Sequence, residues 1–361
     1  MHEGSRLRGI MRKTVVTLGL ALVFLAVLGM DVRADVTFTN PGPDLQTFLN
    51  AAGLTQGDLN NKIDSFFNSS GFLKNFGDAQ SFTSKGMGVD YASEATYFEV
   101  GGSVNFALGM DRTYQPDNSQ NFPIQGVGFN ASVMAGLSLG FLGIPVMLFA
   151  NGMHVPTLTY GAMSGTLDNF GAHVQLRLFG PSRDTSALKM LVRWGGIAIT
   201  TGFDYSHMNL GLTQKDFKSS FSIPESAANG VNVDVAGLGS GTLSIDMKTM
   251  SIPIELTTSV RLLTLLTVYG GLGFDLQLGG GSTLDLNVSA AMTGHVQGLP
   301  DANLGTATVT ASAHADPSPA KIRGLMGLQF NLWLIRPFLQ FNVANTSPTM
   351  ASLAAGLRVA Y

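Results

Sequence analysis

The chain has 361 residues, 45% hydrophobic and only 12% charged, where a water-facing domain usually carries about 25% charge. Acidic residues outnumber basic ones 24 to 21, for a net charge of -3; basic residues that are few and unclustered argue against nucleic acid as a partner, and the apolar content argues against disorder. There is no cysteine, which excludes disulfides, thiolate catalysis, thiolate metal sites and an acylated anchor.

At the N-terminus, Arg12 and Lys13 precede an uncharged run over residues 14–30, followed by Val32-Arg33-Ala34. A basic start, an apolar run and small or slim residues at the cut are the three parts of a secretory signal, expected here over residues 1–34 with cleavage after Ala34. An uncleaved anchor is the alternative, although the run is short for a spanning helix of about 20 residues. No later stretch approaches the length a spanning helix needs.

Residues 35–90 have helical spacing. Leu45, Phe48, Leu49 and Ala52 recur on one face, as do Leu59, Ile63, Phe66 and Phe67; Phe72, Leu73 and Phe76 follow. Two or three short amphipathic helices are expected, with Thr55 as a candidate start. They are either a plug in a barrel lumen or a small periplasmic cap.

From residue 91 onward the period is two. Phe98, Val100, Val104, Phe106 and Leu108 alternate with Glu99, Gly101, Ser103, Asn105 and Ala107, and Met326, Leu328 and Phe330 alternate with Gly327, Gln329 and Asn331. Strands are expected at about 97–110, 125–140, 145–153, 168–179, 188–212, 241–262, 266–280, 320–334, 338–344 and 350–361. Residues 283–290 and 306–313 also alternate and could add a hairpin, giving twelve strands, or fourteen with an N-terminal pair. Pro145 and Pro337 are placed at strand starts, where a missing N–H is tolerated. The gaps run long (111–124), short (141–144), long (154–167), short (180–187), long (213–240), short (263–265), long (281–319) and short (335–337), with a last gap (345–349) too short for the pattern. In a soluble sandwich the polar face would be rich in Lys and Glu; here it is mostly Gly, Ser, Asn and Thr. Segments of about ten residues, oily outside and polar inside, joined by alternately long and short connections, are the pattern of a transmembrane barrel, because lipid cannot satisfy an open sheet edge. The expected fold is all-β: a transmembrane antiparallel up-and-down β-barrel of 10–14 strands over residues 91–361, with a short helical N-terminal segment.

The C-terminal strand Ala354-Ala355-Gly356-Leu357-Arg358-Val359-Ala360-Tyr361 resembles the insertion signal of bacterial outer-membrane β-barrel proteins: a glycine, alternating hydrophobics and a final aromatic, carried by Gly356, Val359 and Tyr361. Tyr stands where Phe is commoner, and Ala354 where a polar residue is usual. The resemblance implies a bacterial outer-membrane location, with outer-membrane lipid and the barrel-assembly machinery as partners. Aromatics near strand ends (Tyr97, Phe98, Phe141, Phe179, Trp194, Phe338, Tyr361) fit interfacial girdles.

By parity, Met134, Met147, Phe149, Met153, Leu325 and Trp333 point into the lumen. A greasy lumen beneath an N-terminal plug is similar in architecture to the long-chain fatty-acid transporters of outer membranes; packing against the N-terminal helices is the other reading of these residues. Charged residues of inward parity are Glu99, His173, Arg177, Arg193, Asp204, Glu255, Arg261, Asp275, Lys321, Arg323 and Arg358, of which Arg177, Glu255, Arg261 and Asp275 are the lumen candidates carried forward. Mixed signs suggest lumen salt bridges, with a polar solute path as the alternative. No catalytic residue is assigned: Asp204 and His207, three apart, face opposite sides of a strand, and neither Gly-x-Ser-x-Gly nor His-Glu-x-x-His occurs. His295 and His314 lack partners at metal-ligand spacing, so no metal and no cofactor are expected. The expected function is passage of small molecules, hydrophobic ones as candidates, across the outer membrane. The alternative is a structural or surface-interaction barrel with loops 213–240 and 281–319 as its contact surface.

Overall fold

A computed structural model describes residues 33–52, 55, 72–92, 97–110, 124–180, 191–223, 233–296, 301–346 and 349–361. The signal run over residues 14–30 and the Leu59–Phe67 helical spacing lie outside them. Among the described residues, strand β1 (Arg33–Pro41) and helices α1 (Leu45–Ala52) and α2 (Phe72–Thr83) precede β2 (Phe98–Met110), β3 (Ile124–Ser138), β4 (Val146–Tyr160) and β5 (Met163–Phe179). Then follow β6 (Val192–Ile223), β7 (Val233–Leu262), β8 (Leu266–Val296), β9 (Ala302–Ala315), β10 (Ala320–Phe330), β11 (Ile335–Ala344) and β12 (Thr349–Ala360). Residues 35–41 are thus strand where a helical segment was expected; Val36, Thr37 and Phe38 favour an extended chain.

Two compact units share these elements, β6, β7 and β8 contributing to both. The smaller comprises Met1–Phe72, Leu212–Ser244 and Leu284–Ala313. In it β1 pairs antiparallel with β9, from Arg33↔Ser312 to Pro41↔Gly305 with one irregularity at Phe38/Asn40, and β9 lies beside β8.

The larger unit comprises Leu73–Gly211, Ile245–Thr283 and His314–Tyr361. Its strands run in the order β8-β10-β11-β12-β2-β3-β4-β5-β6-β7, and β7 returns to pair with β8. The ring therefore closes on ten strands, leaving no free edge, and the twelve-stranded sheet is completed by β9 and β1. Chain-distant closure is made by β12 against β2, from Thr349↔Met110 to Ala360↔Glu99, and Tyr361 and Phe98 continue it through Tyr361 N–H to Phe98 O at 2.9 Å. Alternate burial follows the pleat. On β10, Lys321, Arg323, Leu325 and Gln329 are buried, while Ile322, Met326 and Leu328 are exposed. The same exposed apolar row continues through Leu339, Phe341 and Val343 on β11 and Val100, Val104 and Phe106 on β2. It is a barrel of the transmembrane, up-and-down kind.

Three expected long loops are largely strand. Residues 154–167 continue β4 and β5 around a turn at 161–162, where Gly161 has φ 63°. Residues 213–240 extend β6 and β7, and 281–319 extend β8 and add β9, the hairpin held open as an alternative. Gly, Ala, Ser and Thr give these stretches little hydrophobic amplitude, and a backbone ladder does not need it. The β10–β11 reversal lies at 331–334 rather than 335–337, and Pro337 sits inside β11 opposite Leu357.

Candidate functional site in the barrel interior

Helix α2 carries Leu73, Ala79 and Phe82 as buried residues; Ala79 and Phe82 pack with Ala107, Ala344 and Met350. The chain then turns through Gly86 and Gly88, both at positive φ, and residues 89–92 follow, all buried.

Residues 73–92 meet every strand of the ring. Asn105 of β2 donates to Thr83 O at 2.7 Å, and Gln80 Nε2 donates to Phe129 O of β3 and Ser206 Oγ of β6. Gly88 lies against Asn151 of β4, and Gly86 against Gln340 of β11. Gln175 of β5 donates to Asp90 O at 3.2 Å, and Ser81 Oγ to Gln277 Oε1 of β8 at 3.0 Å. A segment with partners all round a closed ring occupies its interior.

Three groups of charges tie this segment to the wall among the described residues. Lys85 Nζ is 3.0 Å from Asp204 Oδ2, 2.6 Å from Ser251 Oγ and 3.9 Å from Asp275 Oδ1, and His173 Nε2 contacts the other Asp204 oxygen at 3.1 Å. Arg323 joins this group: its Nε donates to Asp275 at 3.0 Å and its Nη1 to Asn342 at 3.0 Å, and Nη2 pairs with Glu255. Tyr91 OH donates to the remaining Glu255 oxygen at 2.6 Å. Secondly, Arg358 donates to Asp90 at 3.1 Å, Gln329 at 3.1 Å and Val89 O at 2.7 Å, with its guanidinium over the Phe338 ring. Thirdly, Asp78 on α2 meets Lys321 at 2.9 Å and Lys74 at 3.1 Å and accepts from Ser318 N–H and Oγ at 2.6 and 2.7 Å. Burial pushes the Asp78 carboxyl up, but Lys321, Ser318 and Lys74 outweigh it and hold the group below its ordinary range.

Of the residues singled out in the sequence, Met134, Met147, Phe149 and Leu325 are buried together with Val89, Tyr91, Ala92, Tyr269 and Ala360; the greasy patch is occupied by the chain's own segment. Met153 keeps the inward parity but is 39% exposed. Trp333 does not line the lumen: it is 88% exposed, at φ 58°, because the chain reverses there and strand parity ends. Phe338, assigned to a girdle, is buried inward. Glu255 and Asp275 meet at Arg323 as above. Arg261 is half-buried near the end of β7. Arg177, with Asp90, Tyr91, Gln175 and Ser259, lines a polar cavity of about 20 Å³, room for a water molecule or two. Gly356 and Val359 lie on β12, with Tyr361 after it. Sequence reasoning missed Asp78, Lys85, Asp90 and Tyr91. The signal was indirect: Asp204, Glu255 and Asp275 of inward parity need cations, and Lys85 sits in the segment expected to cover them.

A family model described as Lsa36-like matches residues 31–361. No curated protein matches the chain. Among solved structures, the chain is similar to the translocator domain of the autotransporter NalP from Neisseria meningitidis, at 12% identity and a TM-score of 0.30, covering 75% of this chain and 91% of that one. It is similar to Ail, the attachment invasion locus protein of Yersinia pestis, at 11% identity and a TM-score of 0.25, covering 74% and 100%. The Ralstonia pickettii toluene transporter TbuX gives 10% identity and a TM-score of 0.23, covering 80% and 99%.

Proposed function

The chain belongs to the Lsa36-like family, and we propose that it is a stoppered outer-membrane barrel: a fixed anchor in the envelope whose work is surface interaction rather than open passage. The observation that carries this reading is that residues 73–92 contact all ten ring strands, five of them through buried charged groups on β6, β7, β8, β10 and β12. Outward apolar rows supply the lipid contact, and the C-terminal strand ending in Tyr361 supplies the proposed signal to the barrel-assembly machinery. The described strand residues within 213–240 and 281–319, stretches expected as loops, are the proposed contact surface.

A second reading keeps the expected passage of small molecules. The stopper is held by Lys85, Asp90 and Asp78, charged groups that can exchange their partners for water, which favours displacement over a plug held by apolar packing alone. The experiment is conductance in planar bilayers, with uptake of a fluorescent fatty acid into liposomes. The anchor reading expects neither from the intact chain, and discrete conductance after deletion of residues 73–92 or in Lys85→Ala/Arg358→Ala. Steady conductance or uptake by the intact chain overturns it in favour of passage.

A further inference from the structure

Among the described residues, the outer face of strands β4 to β7 carries a linked ionic group. His154 on β4 pairs with Asp168 on β5. Asp168 is 3.6 Å from His207 on β6, and His207 is 2.7 Å from Asp246 on β7. Asn209 also donates to Asp246, at 3.2 Å. These residues have the parity opposite to the interior set: Leu167 and Asn169 flank Asp168 and are buried, as are Ser206 and Met208 beside His207. Lys248, over the Tyr205 ring at 5.9 Å, has the same outward parity, so four adjacent strands turn polar together.

Below this level the same strands are apolar outside. On β5 the outward residues from the turn end are Leu178, Leu176, Val174, Ala172 and Phe170; then comes Asp168. At about 3.4 Å per residue and a tilt of about 40°, the climb from Leu178 to Asp168 is about 26 Å. The apolar band of such barrels is about 25 Å tall. At the opposite edge Tyr97 packs on Phe141 and Tyr361, with ring centroids 6.5 and 6.0 Å apart, as aromatic belts do at an interface.

We propose that the His154–Asp168–His207–Asp246 group is a lipid-headgroup contact surface that marks where hydrocarbon ends on this side of the barrel. The occupant is the polar headgroup layer. Mixed imidazole, carboxylate and ammonium groups complement headgroups carrying phosphate and amine, whereas in hydrocarbon they would be costly. Continuity with the outward apolar row of β5 fixes the position: that row ends at Phe170, where the ion pairs begin, and Thr166 and Ser164 follow. The inference rests on the membrane-spanning reading of the barrel.

The absence of cysteine in the chain allows a clean test on the full-length protein in phospholipid liposomes. Single nitroxides at Ala172→Cys and Thr166→Cys leave the group itself unmutated, and accessibility is read against oxygen and a nickel chelate. Oxygen is expected to dominate at 172 and nickel at 166. Oxygen dominating at both positions overturns the boundary while leaving the spanning barrel intact. Nickel dominating at both overturns the spanning reading beneath it. Adding Asp168→Leu/His207→Leu is expected to shift position 166 toward oxygen, as the barrel settles deeper; no shift would reduce the group to interstrand pairing and overturn the headgroup role.

Discussion

Lys85 Nζ lies 3.0 Å from Asp204 Oδ2, with the two side chains 0% and 4% exposed. One residue belongs to the segment inside the ring and the other to strand β6, so the pair ties stopper to wall. Removing one partner of a buried pair costs about 3–5 kcal/mol, since the other charge is left uncompensated. Lys85→Met is therefore expected to lower the unfolding free energy, read from urea titration in detergent micelles, by that order, and Lys85→Arg to recover part of it. Unchanged midpoints would mean that the tie contributes nothing in solution.

The lipid face makes a second prediction. Leu328 points outward from β10, between Val268 of β8 and Leu339 of β11 in register. Arg near a bilayer midplane on such a face costs about 2–4 kcal/mol. Leu328→Arg is expected to destabilise the protein by that amount when unfolding is measured from liposomes. The penalty should shrink in detergent micelles, where the guanidinium reaches water. A tolerated Leu328→Arg in liposomes would reverse the assignment of inside and outside.

Acid should loosen the stopper at α2. The folded Asp78 carboxyl titrates below its unfolded value because Lys321, Ser318 and Lys74 favour its charged form against burial. A depressed value contributes stability above the unfolded value of about 3.9. That contribution is lost as pH falls through the folded value. Proteolysis near residues 73–92 is expected to accelerate on acidification below about pH 4. Asp78→Asn should be faster throughout and lack that acid-linked step.

The ring was legible in the sequence because lipid writes a strong period-two signal. Outside residues such as Leu339 and Phe341 are apolar without exception on β11, while the inside mixes polar Gln340 and Asn342 with Phe338 and Ala344. The extensions of β6 and β7 were not legible, and that of β8 with β9 only as an optional hairpin over 283–290 and 306–313, because stretches rich in Gly, Ala, Ser and Thr give the alternation little contrast. Trp333 was misplaced because parity was carried through a chain reversal. The interior site was half-visible: Glu255, Asp275 and Arg323 announced themselves as inward charges. Their partners could not be paired from sequence, since Lys85 is 119 residues from Asp204 and Asp90 is 268 from Arg358. Such pairings exist only once the ring has closed.

Gly88 and Gly143 separate backbone strain from interior packing. Both have left-handed φ, 78° and 77°, so alanine at either costs about 1 kcal/mol from conformation alone. A Cβ at Gly143, in the β3–β4 turn, would meet nothing within 4 Å. A Cβ at Gly88 would come within 2.4 to 2.6 Å of the Asn151 side chain, Cβ included, which forces the stopper or β4 to move. Overpacking of that kind adds about 1–3 kcal/mol. Gly88→Ala is thus expected to destabilise clearly more than Gly143→Ala, read as the heat-modifiability midpoint of each on cold-loaded gels. Equal penalties would mean that the Gly86–Gly88 turn does not sit against β4 in the folded protein, and the stopper would have to be withdrawn from the interior.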